Sequence, residues 1–218
     1  VSRRLAPSLA GMLAVALALP SLASAQEGRP ASWRVAYDRA DAVDSTLLFA
    51  TMAPGWHVTA GPAGVLYDPA NALSGRFRVE STVFVFSAAP GAGAGVAVGG
   101  TALDGAGRAF TVFEVDNGRY RIVRHSGARA EELVGWTAHD SIPTGAGAES
   151  PVKNVLAVDA GDAEVRFSVN GADVATLPRE RVAPDGVVGL RVEEAANVHV
   201  ATLLLDGRNA APEPAPKR

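Results

Sequence analysis

The feature that most constrains this chain is a rhythm. Between residues 33 and 205, short runs of β-branched and aromatic residues are cut by Gly, Pro, Asn and Asp, and none carries an apolar period of helix length. Such runs, bounded by turn formers, read as strands. Fourteen are expected, at 33–37, 46–50, 56–59, 64–67, 77–86, 95–98, 109–116, 119–125, 133–137, 152–158, 164–169, 172–177, 187–192 and 198–205. The best helical segment, 128-ARAEELV-134, is shorter than the dozen or so residues a helix needs to hold by itself. Strands without alternating helices predict an all-β fold, an antiparallel sandwich of two sheets. The Gly-rich stretches 90–95 and 141–151 are expected to be surface loops.

The two ends differ from the middle. Arg3 and Arg4 precede the apolar run 9-LAGMLAVALALP-20, and Ala23-Ser24-Ala25 supplies a small-x-small site. This is the pattern of a secretory signal cut after Ala25. The run is short of the roughly 20 apolar residues that span a bilayer. The expected organisation is a signal peptide at 1–25, one sandwich domain at 26–207, and a Pro/Ala-rich tail at 208–218 without core residues, expected to be disordered. The expected destination is the periplasm or the exterior, with no membrane insertion once the signal is removed.

The formal net charge is −3, and loss of Arg3 and Arg4 with the leader brings it to −5. No basic block is present to track phosphates, which argues against nucleic acid. There is no cysteine, which removes disulfides, lipid anchoring through cysteine, thiolate metal sites and cysteine nucleophiles. A Gly-x-Ser-x-Gly elbow is absent too, and 91-GAGAGVAVGG-100 lacks the lysine of a phosphate-binding loop.

Two hairpins can be read in register from their turns. Asn117-Gly118 and Asn170-Gly171 are type I′ signals. Within 113-FEVDNGRY-120, pairing outward sets Asp116 against Arg119, Val115 against Tyr120, Glu114 against Arg121 and Phe113 against Ile122. Both acids then share one face with both arginines. Cross-strand pairs of this kind contribute roughly 0.2–1 kcal/mol each and lower a carboxylate's pKa, so replacing either acid by Ala is expected to cost under about 1 kcal/mol. In the second hairpin, Val165, Phe167 and Val169 are expected to share a face with Val174 and Thr176.

Glu114-Val115-Asp116 resembles the first half of the Glu-x-Asp-x-x-Glu or Glu-x-Asp-x-Glu strand of family 16 glycoside hydrolases. The third acid is missing, because Asn117, Gly118 and Arg119 stand in its place. A retaining glycosidase needs two carboxyls about 5 Å apart, and this strand does not supply them. No catalytic residue is assigned.

The candidate ligand-binding residues are Trp56, Tyr67, Trp136 and His139. Trp56 and Tyr67 lie in 55-GWHVTAGPAGVLYDPAN-71, Trp136 and His139 in 136-WTAHD-140. Aromatic rings offer a large amphipathic surface to a sugar, and loops on a rigid sandwich are where function concentrates. Trp56 and His57 face opposite ways on a strand, as do Trp136 and His139. The histidines show no metal-ligand spacing, and no cofactor is expected. Calcium is the one cation considered, at Asp68, Asp104 or 159-DAGD-162, although none has a dense Asp/Asn spacing.

Taken in order, 56-WHVTAGPAGVLYDP-69, 77-FRVESTVFVF-86, the Asn117-Gly118 hairpin, 164-EVRFSVNGADVATLP-178, 186-GVVGLRV-192 and 198-VHVATLLLDG-207 resemble the concanavalin A-like lectin/glucanase superfamily, including laminin G-like domains. The resemblance covers about 33–207. It implies a jelly-roll sandwich and an oligosaccharide or glycan as partner. The expected function is an exported protein that binds carbohydrate without cutting it. A glycosidase or lyase of the same fold, and a structural or partner-binding envelope protein, remain as alternatives.

Overall fold

Strand pairing here starts from turns written into the chain. The computed structural model describes residues 28–42, 46–86, 91–147 and 149–207, so the signal-like segment and the tail lie outside the described residues. Sheet A runs in the order β1 (Arg34–Tyr37), β4 (Gly64–Leu73), β13 (Gly186–Val192), β6 (Ala94–Thr101), β7 (Ala109–Asp116), β8 (Arg119–Ser126), β9 (Arg129–Ala138). Sheet B runs β12 (Ala172–Pro178), β11 (Glu164–Val169), β10 (Val152–Ala160), β5 (Phe77–Val85), β14 (Asn197–Gly207), β3 (Trp56–Thr59), β2 (Leu48–Thr51). Every pairing is antiparallel, giving the expected all-β two-sheet sandwich.

Alternation builds the core. On β5, Phe77, Val79, Ser81, Val83 and Val85 are buried and the residues between them are not. They meet inward residues of sheet A such as Leu66, Val96, Phe113 and Leu190. Phe113 of β7 meets Phe167 of β11 edge-on, with ring centroids 5.2 Å apart, and so couples the two sheets. Each such side chain contributes roughly 1.5–3 kcal/mol by leaving water.

Sheet A is buried on its outer face as well. Ala36, Val65, Tyr67, Ala97, Leu103, Phe110 and Val112 form a second cluster there. Arg108 ties the 102–108 loop to β1, donating to the carbonyls of Tyr37 and, at 2.8 Å, of Asp38. This explains why β6 reads AGVAVGGT, apolar in both registers: neither of its faces meets water.

Both hairpin turns form as read, with Asn117 and Asn170 at positive φ (38° and 52°) before a glycine. The first pairs as expected, residue for residue. In the second, the register shifts at Phe167/Ser168, so Val165 meets Leu177 and not Thr176. The bulge turns Ala175 and Leu177 toward the core, leaving the hydroxyl of Thr176 out of it.

Residues 129–134 belong to β9, where pairing with β8 satisfies a backbone too short to make a helix. Two further expectations are corrected. The stretch 90–95 is no surface loop at its end, since Ala94 and Gly95 open β6. Within 141–151, Ile142 and Ala146 are buried in the core, held there by the hairpin turns: Asn117 Oδ1 accepts the Gly145 amide at 3.0 Å and Asn170 Nδ2 donates to the Ser141 carbonyl at 2.7 Å.

Candidate functional site

Alternation on β7 sends Phe113 and Val115 inward and places Phe110, Val112, Glu114 and Asp116 on the outer face. Register then sets one row across sheet A: Val65, Arg191, Gly95, Glu114 and Arg121 are successive cross-strand partners. Gly95 has no side chain, so Arg191 and Glu114 face each other across it, Nε to Oε2 at 3.9 Å. A Cβ on Gly95 would collide with the Phe113 carbonyl oxygen.

The row is charged and buried. Glu114 is 1% exposed, Asp116 2% and Arg191 3%. Arg191 makes a two-pronged contact with Asp38 (2.8 and 2.7 Å) and donates from Nε to Glu193 at 2.8 Å. Arg121 donates to Glu114 and, at 3.2 Å, to Glu193. Arg119 donates to Asp116 at 2.8 Å, and Asp116 also accepts the Gly91 amide at 3.0 Å. The hairpin ion pairs are therefore present, but buried where sequence reasoning expected ordinary surface pairs.

Burial changes the proton chemistry. It pushes the Glu114 carboxyl up to about 8, helped by the neighbouring Glu193 carboxylate, and the two arginines do not offset this. The expected lowering by Arg121 is overturned for Glu114. Glu193 goes the other way: burial raises it, but the charge of Arg191 and hydrogen bonding with Glu114 hold it below its ordinary value. Burial also opposes ionisation of Asp38, and Arg191 overrides it to leave that carboxyl lowered. His125, stacked on Phe110 at 4.5 Å, is pushed down to about 4 by burial and by Arg191. Glu114 Oε2 accepts no hydrogen bond, which suits a carboxyl that carries its own proton and can donate.

Trp136 lies over this layer. The guanidiniums of Arg119 and Arg121 sit 4.5 and 4.6 Å from its ring centroid, and the indole is partly exposed at the edge strand β9. Beyond Asp38 the same face opens into a groove of about 810 Å³, lined by Asp104, Arg108, His125 and Arg129 among others.

The other candidates lie elsewhere. Trp56 points inward, packed on Trp33 (5.0 Å) and Phe49 (6.4 Å). Tyr67 is 3% exposed, and its hydroxyl donates to Asp104; burial and that carboxylate push the phenol up to about 12. His139 sits edge-on to Tyr120 (6.5 Å), its Nδ1 accepting the Ser141 amide at 3.2 Å. The structure thus joins Trp136 to Arg119 and Arg121, and does not join it to Trp56 or Tyr67. Arg191, Glu193 and Asp38 were not anticipated. Their one visible signal is Arg191 between Leu190 and Val192, a charge inside an otherwise apolar strand.

The carboxylates considered for calcium are engaged by protein groups. Asp68 accepts from Ser32 and the Ala70 amide, Asp104 from Arg34 and Tyr67, Asp159 from Arg78, and Asp162 from Arg76. Among the described residues, no three His, Cys, Asp or Glu side chains are grouped to hold a metal ion.

No protein-family model matches the sequence, and no curated protein matches it. Solved structures do resemble it. The carbohydrate-binding module CBM66 from Bacillus subtilis superposes with a TM-score of 0.58 at 11% identity, over 81% of this chain and 96% of that one. A protein of unknown function with a galectin-like fold, also from Bacillus subtilis, gives 0.57 at 11% identity, over 80% and 88%. A family 16 endo-glucanase from Bacteroides ovatus gives 0.55 at 8% identity, over 80% and 94%. These are likenesses of fold. They agree with a concanavalin A-like jelly roll.

Proposed function

We propose that this protein binds a neutral glycan on the outer face of sheet A, around Trp136. The observation that carries the reading is the partly exposed indole, fixed by two guanidiniums that are anchored on buried carboxylates. A flat apolar surface ringed by donors and acceptors suits a pyranose, whose ring faces are apolar and whose edge is hydroxylated. The neutrality follows from charge. Arg119, Arg121 and Arg191 are matched by Asp38, Asp116 and Glu193 once Glu114 keeps its proton, so the layer attracts neither sign. The groove beyond Asp38 has the volume of an ordinary ligand pocket, within about 300–1,000 Å³.

A glycoside-processing role has one observation in its favour, the Glu114–Glu193 acid couple. One feature weighs against it: Glu114 is buried, closed off from a substrate. Export to the periplasm or exterior stays part of the proposal. No helix among the described residues is long and apolar enough to cross a membrane.

The test is a thermal-shift series with soluble neutral oligosaccharides, on the native chain and on Trp136→Ala. A ligand at 100 times its dissociation constant stabilises by about 2.7 kcal/mol. The reading requires a shift that Trp136→Ala removes. A shift that survives in Trp136→Ala, or no shift with any oligosaccharide, overturns it.

A further inference from the structure

The outer face of sheet B carries an arrangement that glycan binding does not use. On β3 and β14 the inward positions are filled by Trp56, Val58, Val198 and Val200, which leaves His57 and His199 facing outward. They are direct register partners on adjacent antiparallel strands, so their side chains rise side by side. The ring centroids are 6.3 Å apart and the planes 32° apart. Phe86 meets His57 edge-on at 5.4 Å and Phe84 flanks His199 at 6.1 Å, so the pair stands between two aromatic walls.

What surrounds the rings is informative. Among the described residues, no carboxylate forms an ion pair with either imidazole. Two partly exposed imidazoles, in register and flanked by aromatic rings, form the beginning of a coordination sphere.

We propose that His57 and His199 form a two-histidine site for a divalent first-row transition ion, Cu(II) above all. Imidazole nitrogens suit copper, nickel and zinc, and affinity at a given nitrogen site peaks at Cu(II). Metal–nitrogen bonds of about 2.0–2.1 Å bring cis-ligating rings closer together than this centroid separation of 6.3 Å, a movement that rotation about their side-chain bonds supplies. With no third protein ligand grouped there among the described residues, the remaining positions go to water or an exogenous donor. The site is therefore an open, exchangeable one, unlike the closed four-ligand sites that hold folds together. Its face is opposite to that of Trp136, and it stands independently of the glycan reading.

The experiment is a calorimetric titration of the full chain with Cu(II), with electron paramagnetic resonance on the loaded protein. The expected result is one ion per chain with nitrogen ligation. Both His57→Ala and His199→Ala should weaken binding by about tenfold or more, the size of effect that loss of even an outer-shell partner produces. Trp136→Ala should bind copper as the native chain does. His57→Gln and His199→Gln, closer in volume, take the place of any alanine variant whose metal-free melting temperature falls. Absence of copper uptake, a titration unchanged in the variants, or dependence on only one of the two histidines would overturn the site.

Discussion

Arg121 bridges Glu114 and Glu193 under the outer face of sheet A, donating to Glu114 and, at 3.2 Å, to Glu193. Two carboxylates so close cannot both ionise cheaply, so the proton stays on the more buried one, Glu114. The layer is neutral for that reason, and its stability hangs on one proton.

Glu114→Gln keeps the shape and the neutral hydrogen-bonding end of the protonated acid. It is expected to change unfolding free energy by under about 1 kcal/mol, whereas Glu114→Ala should cost at least about 2 kcal/mol by leaving Arg121 short of an acceptor in a buried layer. Urea unfolding of the two variants measures the contrast. An alanine variant as stable as the native chain would restore the surface-pair account.

The same proton gives a pH dependence with a definite sign. The Glu114 value is about 8 in the folded chain against 4.5 for an ordinary glutamate, so the folded state binds more protons between these limits. Its contribution is fully present below 4.5 and is lost as pH rises through about 8. His125, at about 4 against 6.5, contributes stability that is lost as pH falls from 6.5 toward 4. Subtracting the two proteins isolates the first effect: the melting temperature of Glu114→Gln should gain on that of the native chain between pH 5 and pH 9. A constant difference across that range would show that Glu114 is not the protonated acid.

Gly95 is the one position in the row with no room for a methyl group, because the Phe113 carbonyl and the Glu114 backbone occupy it. Gly95→Ala should destabilise by more than about 2 kcal/mol, through overpacking and backbone displacement. Gly135, in the edge strand β9, has its nearest neighbour at 3.6 Å, the flexible end of Glu132, and Gly135→Ala should be tolerated. Thermal melts of the two variants decide it.

Tyr67→Phe removes the hydroxyl that donates to Asp104 and nothing else. The expected loss is about 1 kcal/mol, with glycan binding unchanged because the ring is buried. Loss of binding in this variant, at native stability, would move the site from Trp136 toward Tyr67.

The sequence by itself determined the strand count, the two type I′ hairpins and the cross-strand partners of Glu114 and Asp116, because period-2 alternation and an Asn-Gly turn are local properties of the chain. It also determined that Trp56 and His57 part company. Tertiary structure decided the rest. The bulge at Phe167/Ser168 moved Leu177 into the core, a choice made by packing against β11 and not by the turn. Whether Glu114 met water depended on Arg191, Glu193 and Asp38, which arrive from β13, the residue just past it, and the turn after β1. His57 and His199, 142 positions apart in the chain, became neighbours through the pairing of β3 with β14. Desolvation is a property of everything that surrounds a group, so a charge that reads as a surface pair along the chain became a buried proton carrier in the fold.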